Sequence, residues 1–152
     1  MASLLNTKRN CTIVTNSIEL INGLYDSKHE IYLLGGKISK KGKRTYGDFV
    51  LKMVEPFHFD VCILGMDGCK NTLAPANMNM EEVILNDRIL KQSDYSILLS
   101  DASKFELNAR FKYAEFNEFD CFITTKIPDT FRHTIPIKTI IEIGEDKDDQ
   151  QN

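Results

Sequence analysis

Asp67, Glu82, Asp101 and Lys104 stand where short polar segments interrupt apolar runs of the chain. Carboxylates accept hydrogen bonds from hydroxyl groups, and an ammonium group neutralises a phosphate or another anion. Glycines flank the same segments at Gly35-Gly36 and Gly68, and Asn16 adds a side-chain amide. Backbone N–H groups freed by such glycines also suit an anion. Together these groups fit a phosphorylated sugar better than a nucleotide, because no Gly-x-Gly-x-x-Gly follows a strand-like run. No Ser-His-Asp or Cys-His set accompanies them, so nucleophilic hydrolysis is not expected and no catalytic residue is assigned. Each residue also has an ordinary reading: a solvated Lys104, Glu82 as a first-turn helix acid, Asp67-Gly68 as a turn pair. What sets them apart is where the surrounding elements place them.

Val61 to Leu64 is an apolar run of strand length, closed by Gly65 and Gly68. Strands of a parallel sheet are covered on both faces and read as continuous apolar runs, which is the expectation here. Further strands are expected at Thr12–Thr15, Ile31–Leu34, Tyr95–Leu99, Cys121–Thr124 and Ile137–Ile143. Ser17 is a good N-cap for a helix in which Ile18, Leu20, Ile21 and Leu24 recur at helical spacing. A second helix is expected from Tyr46 to Val54, stopped by Pro56, and a third from Glu81 to Leu90. Cys69 to Asn79 shows no apolar periodicity and reads as a long loop. Strands alternating with helices predict an α/β fold with a mostly parallel, Rossmann-like sheet and helices on both faces. In such a sheet the loops after parallel strands gather at the carboxyl edge, where ligands bind. The expected binding residues are therefore Asn16, Gly35, Gly36, Asp67, Gly68, Glu82, Asp101 and Lys104.

The chain has 152 residues, 42% hydrophobic and 27% charged, which suits one folded domain over residues 1–144. Residues 145–152 form an acidic tail expected to be disordered. A net charge of −3 argues against a nucleic-acid surface. The basic cluster from Lys37 to Arg44 reads as a solvated loop. Cys11, Cys62, Cys69 and Cys121 form no C-x-x-C pair, and His29, His58 and His133 lie far apart. Neither a metal nor a cofactor is expected, and the cysteines read as small buried hydrophobes in a reducing compartment. With no signal peptide and no apolar run of membrane-spanning length, the expected location is the cytoplasm, without a membrane partner.

The ordered motifs Thr12-Ile13-Val14-Thr15-Asn16-Ser17, Leu33-Leu34-Gly35-Gly36-Lys37, Leu64-Gly65-Met66-Asp67-Gly68, Asn79 through Glu82, and Leu98 through Phe105 resemble the effector-binding domain of DeoR-type bacterial transcription regulators. The resemblance runs from about Thr12 to Thr125. It implies a fold shared with ribose-5-phosphate isomerases and CoA transferases, a sugar-phosphate inducer, and assembly into homo-oligomers. It also implies a winged helix-turn-helix ahead of this domain through which DNA is bound. Met1 to Asn10 cannot supply that module, nor the Gly- and Thr-rich phosphate loop that precedes the Thr12 strand in the family. The chain is accordingly expected to be a fragment beginning in the helix after that loop. Ser100, Thr125 and the Leu73-Ala74-Pro75-Ala76 segment depart from commoner family residues and are expected to tune which sugar is accepted.

A sugar-phosphate isomerase of the same fold is the alternative. Glu82 would be its base, with Lys104 and Asp67 positioning the sugar. The isomerase pattern, however, carries an acid three residues before the position of Asp67, where this chain has Leu64. A ligand sensor is therefore the leading expectation.

Overall fold

The structure, a computed structural model, describes residues 2–8 and 10–144. The expected tail at 145–152 lies outside the described residues. Contacts group the chain into two compact units, one through Phe57 and the other from His58.

The first unit begins with α1 (Ala2–Leu5) and β1 (Thr12–Thr15). Ser17 caps α2 (Ile18–Leu24), its hydroxyl accepting the Leu20 N–H at 3.2 Å. β2 (Glu30–Leu33) then pairs in parallel with β1, Thr12 opposite Glu30 and Thr15 opposite Leu33. The basic stretch expected as a loop is a hairpin: β3 (Lys37–Ser39) runs antiparallel to β4 (Arg44–Tyr46). Its turn uses Lys43 at φ 48°. The charges hide a strand pair whose buried centre is Thr45. α3 (Asp48–Val54) follows and buries Val50 and Val54.

The second unit carries the main sheet. β5 (Phe59–Leu64) leads through β6 (Ala76–Asn77) to α4 (Met80–Lys91) and β7 (Ser93–Leu99). β8 (Phe111–Lys112), β9 (Cys121–Thr124), α5 (Asp129–Arg132) and β10 (Thr139–Glu142) complete it. The expected parallel α/β arrangement is present: β10-β9-β7-β5 is a four-stranded, all-parallel sheet flanked by helices. Its strand order advances in one direction, and right-handed crossovers then return every connecting segment over the same face. Val83 and Leu90 of α4 and Phe131 of α5 accordingly share one buried cluster with Cys62, Leu64, Leu98 and Phe122. The alternate residues Val61 and Ile63 are 51% and 41% exposed, so the continuous apolar run of β5 is covered on one face rather than both.

The segment expected as a structureless loop, Cys69 to Asn79, also differs. β6 within it pairs antiparallel with β8, and Ala74, Pro75, Ala76 and Asn77 are buried. Small residues without periodicity here line the interior of a corner.

Candidate functional site

Because β5, β7, β9 and β10 are parallel, the segments after them leave from one edge of the second unit. Asp67 sits on the first of these. Its N–H donates to the Ala76 carbonyl at 2.9 Å and to Asn77 Oδ1 at 3.1 Å. Its Oδ2 accepts the Met78 N–H at 2.8 Å, immediately before Asn79 caps α4 by accepting the Glu81 N–H. Asp67 thus holds the entry to the helix that carries Glu82, half-buried in its first turn. Nothing among the described residues engages Asp67 Oδ1.

Gly68 is required by packing. A Cβ there would lie 2.3 Å from the Leu107 carbonyl oxygen, a backbone atom with no rotamer to escape into. That approach lets the Cys69 N–H donate to the Lys104 carbonyl at 3.1 Å and the Lys70 N–H to the Leu107 carbonyl at 3.0 Å. The post-β5 and post-β7 segments are therefore stitched backbone to backbone. Tyr113 closes the corner from below, its hydroxyl donating to the Gly65 carbonyl at 2.7 Å. Burial, reinforced by Cys62 and Asp67, pushes that phenol well above its ordinary pKa. Burial likewise raises the Cys69 thiol to about 11, so Cys69 is a neutral packing residue at neutral pH.

Asp101 begins the post-β7 segment and caps a 3-10 turn, Ala102–Glu106. Its Oδ1 accepts the Ser103 N–H at 2.8 Å and the Ser103 hydroxyl. That hydroxyl bond, with the charge of Lys104 adding to it, holds the carboxyl below its ordinary pKa. Nothing among the described residues engages Asp101 Oδ2, and no described carboxylate pairs with Lys104 Nζ. Phe105, fully buried between Phe122 and Phe131, anchors the turn that presents Lys104.

Past the ends of β7 and β9 lies a cleft of about 340 Å³, between Leu99, Ser100 and Asp101 on one side and Ile123, Thr124 and Thr125 on the other, with Ile143 at its margin. Thr125 Oγ1 accepts the Ala102 N–H at 3.0 Å, which ties the two walls together. Thr124 is 2% exposed, and among the described residues its hydroxyl has no hydrogen-bond partner. A buried unpartnered hydroxyl costs about 1–3 kcal/mol. Asn77, Tyr113 and Thr124 were not among the expected functional residues. Only the position of Asn77 before a helix cap hinted at a role.

The remaining expected residues belong to the first unit. Asn16 Nδ2 donates to the Thr45 carbonyl at 2.9 Å, and the Asn16 carbonyl accepts the Thr45 N–H at 2.9 Å. Asn16 is thus a strut between the β1–α2 turn and β4. At Gly36 a Cβ would stand 2.6 Å from the Tyr46 carbonyl and 2.8 Å from Val50. Gly35 has ordinary space, its N–H facing Met53 Sδ at 3.2 Å. Two charges of the basic hairpin are spent locally: Lys43 pairs with Glu19 at 3.2 Å, and Lys37 lies 5.5 Å above the Tyr46 ring.

Among the described residues no group of His, Cys, Asp and Glu is arranged to hold a metal ion, and no helix is long and apolar enough to cross a membrane. A profile of the DeoR C terminal sensor domain matches residues 1–126. The HTH-type transcriptional repressor GlcR of Bacillus subtilis is 35% identical over 122 residues, covering 78% of this chain and 46% of that protein. The glycerol-3-phosphate regulon repressor of Escherichia coli K12 is 27% identical over 129 residues, 84% of this chain and 51% of its own length. An L-fucose operon activator of Haemophilus influenzae is 24% identical over 124 residues, 80% of this chain and 50% of that protein. The chain spans about half the length of the curated relatives it matches.

Proposed function

We propose that this chain, which belongs to the DeoR C-terminal sensor domain family, is the ligand-sensing part of a repressor of sugar metabolism and binds a phosphorylated sugar at the carboxyl edge of its four-stranded sheet. One observation carries the reading. Two stitched backbone segments at that edge leave Asp67 Oδ1, Asp101 Oδ2 and Lys104 Nζ without a hydrogen-bond or ion-pair partner among the described residues. Lysine suits the phosphate, and the carboxylate oxygens suit sugar hydroxyls, which need acceptors. Glu82, at the start of the helix that Asp67 holds, extends the acceptor set. Relatives named for a glycerol-3-phosphate regulon and an L-fucose operon support an effector from the polyol-phosphate and sugar classes.

The device works by differential binding. A sugar phosphate that favours one arrangement of domains or subunits biases the population toward it, and the operator affinity of a helix-turn-helix elsewhere in the longer protein follows. A homo-oligomer working in the cytoplasm fits this scheme, and catalysis has no part in it. Leu64, at the position where the isomerase pattern has an acid, is packed in the core at 7% exposure. An apolar side chain held there supports a sensor over an isomerase, as do relatives named as transcriptional regulators.

The test is a thermal-shift series on the 152-residue chain with pentose and hexose phosphates. A ligand at one hundred times its Kd adds about 2.7 kcal/mol to the folded state. We expect stabilisation by at least one of them without turnover. No shift with any sugar phosphate, or isomerisation that disappears in Glu82→Gln, contradicts the proposal.

A further inference from the structure

We propose that the open face of the four-stranded sheet is an interface with a second copy of this chain, the two sheets packing face to face about a twofold axis. The inference goes beyond the sensor reading and stands without it.

The strand order explains why a face is open. Because β5, β7, β9 and β10 follow one another in one direction, right-handed crossovers place α4 and α5 on the same side, and no connection returns over the other. Parallel sheets are nevertheless normally covered on both faces. Register fixes what the open side carries: Val61 lies opposite Tyr95, Ile63 opposite Ile97, Leu99 opposite Ile123, and Ile123 opposite Ile141. Val61, Ile63, Tyr95, Leu99 and Ile141 are 38% to 51% exposed, and Ile143, just past β10, is 54% exposed. No charged residue falls on these alternate positions of the four strands.

The width and chemistry of the face select its occupant. A single helix, about 10–12 Å across, spans little more than two strands set ~4.8 Å apart. A second sheet of the same width spans all four, and aligned sheets pack about 10 Å apart. A face without charge brings no like-charge repulsion to its own copy, and a twofold pairing needs only one self-complementary patch. A whole large side chain offers ~150–250 Å², so six that are close to half open offer about 500 Å² per copy. Two copies then hide about 1,000 Å², the size from which specific interfaces begin. A contiguous apolar patch of this extent is rare on a monomer and marks an interaction surface.

The test is sedimentation velocity of the 152-residue chain without ligand, across the micromolar range. Ile63→Lys on β5, Tyr95→Lys on β7 and Ile141→Lys on β10 are run beside it. Ile84→Lys on α4, at a residue exposed to the same degree, is the control. Far-UV circular dichroism checks each fold, and a lysine variant that unfolds is replaced by threonine at the same position, which suits a strand. We expect the parent to sediment as a dimer and the Ile84→Lys control to stay dimeric. Each of the three face variants should keep its fold and pair about a hundredfold more weakly, because a lone charge is buried without a partner. A parent that is monomeric throughout overturns the proposal, as does a dimer indifferent to all three changes. Weakening confined to Ile63→Lys or to Ile141→Lys also overturns it, because the contact would then lie along one strand edge and spare the central Tyr95. Equal weakening by Ile84→Lys would place the contact away from this face.

Discussion

Replacing Gly68 with alanine tests the stitched corner on which the site is built. The new Cβ would lie 2.3 Å from the Leu107 carbonyl, whereas ordinary contact begins near 3.4 Å, so the two backbone segments must part by roughly 1 Å. The Cys69 N–H to Lys104 bond at 3.1 Å and the Lys70 N–H to Leu107 bond at 3.0 Å then stretch beyond hydrogen-bonding range. At about 0.5–1.5 kcal/mol for each bond, with steric strain added, the loss is about 2–4 kcal/mol. For a chain of this size that is a fall in Tm of roughly 4–15 °C. Gly35→Ala is the internal control. Its Cβ would sit 3.7 Å from Met53 Sδ, an ordinary contact, and its backbone does not require positive φ. We expect that control to stay within about 1 kcal/mol of the parent, with some gain from a stiffer unfolded chain. Paired thermal and urea unfolding by circular dichroism reads both variants. If Gly68→Ala loses no more stability than Gly35→Ala, the corner is not held by that close approach and the reasoning fails.

Two further outcomes follow from the same geometry. Asp101 has a folded pKa below its ordinary value, so its contribution is present above about pH 3.9 and is lost as pH falls through the lower folded value. Stability measured from pH 6 to pH 2 should fall less steeply in Asp101→Asn than in the parent, and parallel curves would dismiss the Ser103 cap as its cause. Cys69, fully buried with its thiol raised to about 11, should resist iodoacetamide in the native protein while half-exposed Cys11 reacts first. Peptide mapping that finds Cys69 labelled as fast as Cys11 would show that the corner opens readily.

The parts of the fold visible in the sequence are those governed by local apolar pattern. Cys121–Thr124 reads as a strand to the residue because a short apolar run ends in two threonines, and Ser17 announces α2 through its capping hydroxyl. The hairpin at Lys37–Tyr46 is masked by Lys40 and Lys41 at its turn, since charge at a turn and charge in an open loop look alike. β6 and β8, two residues each, exist through a pairing of Ala76 with Lys112 and Asn77 with Phe111 that no local window contains. The candidate site divides in the same way. Asp67, Asp101 and Lys104 are recognisable from their positions after strands. The backbone duties of Asp67 and Gly68 are long-range. Asn16 and Gly36, chosen for the same position after strands, serve the turns of the first unit.

Isothermal titration of the parent chain and of Lys104→Met, with whichever sugar phosphate stabilises the parent most, tests the central proposal most directly. Methionine keeps the stem of the side chain and removes only the charge. The account predicts an unchanged Tm without ligand and at least tenfold weaker binding of the phosphorylated sugar, which is about 1.4 kcal/mol of lost affinity. Equal affinity in the two proteins would contradict it, because the phosphate would then be held somewhere other than the carboxyl edge of this sheet.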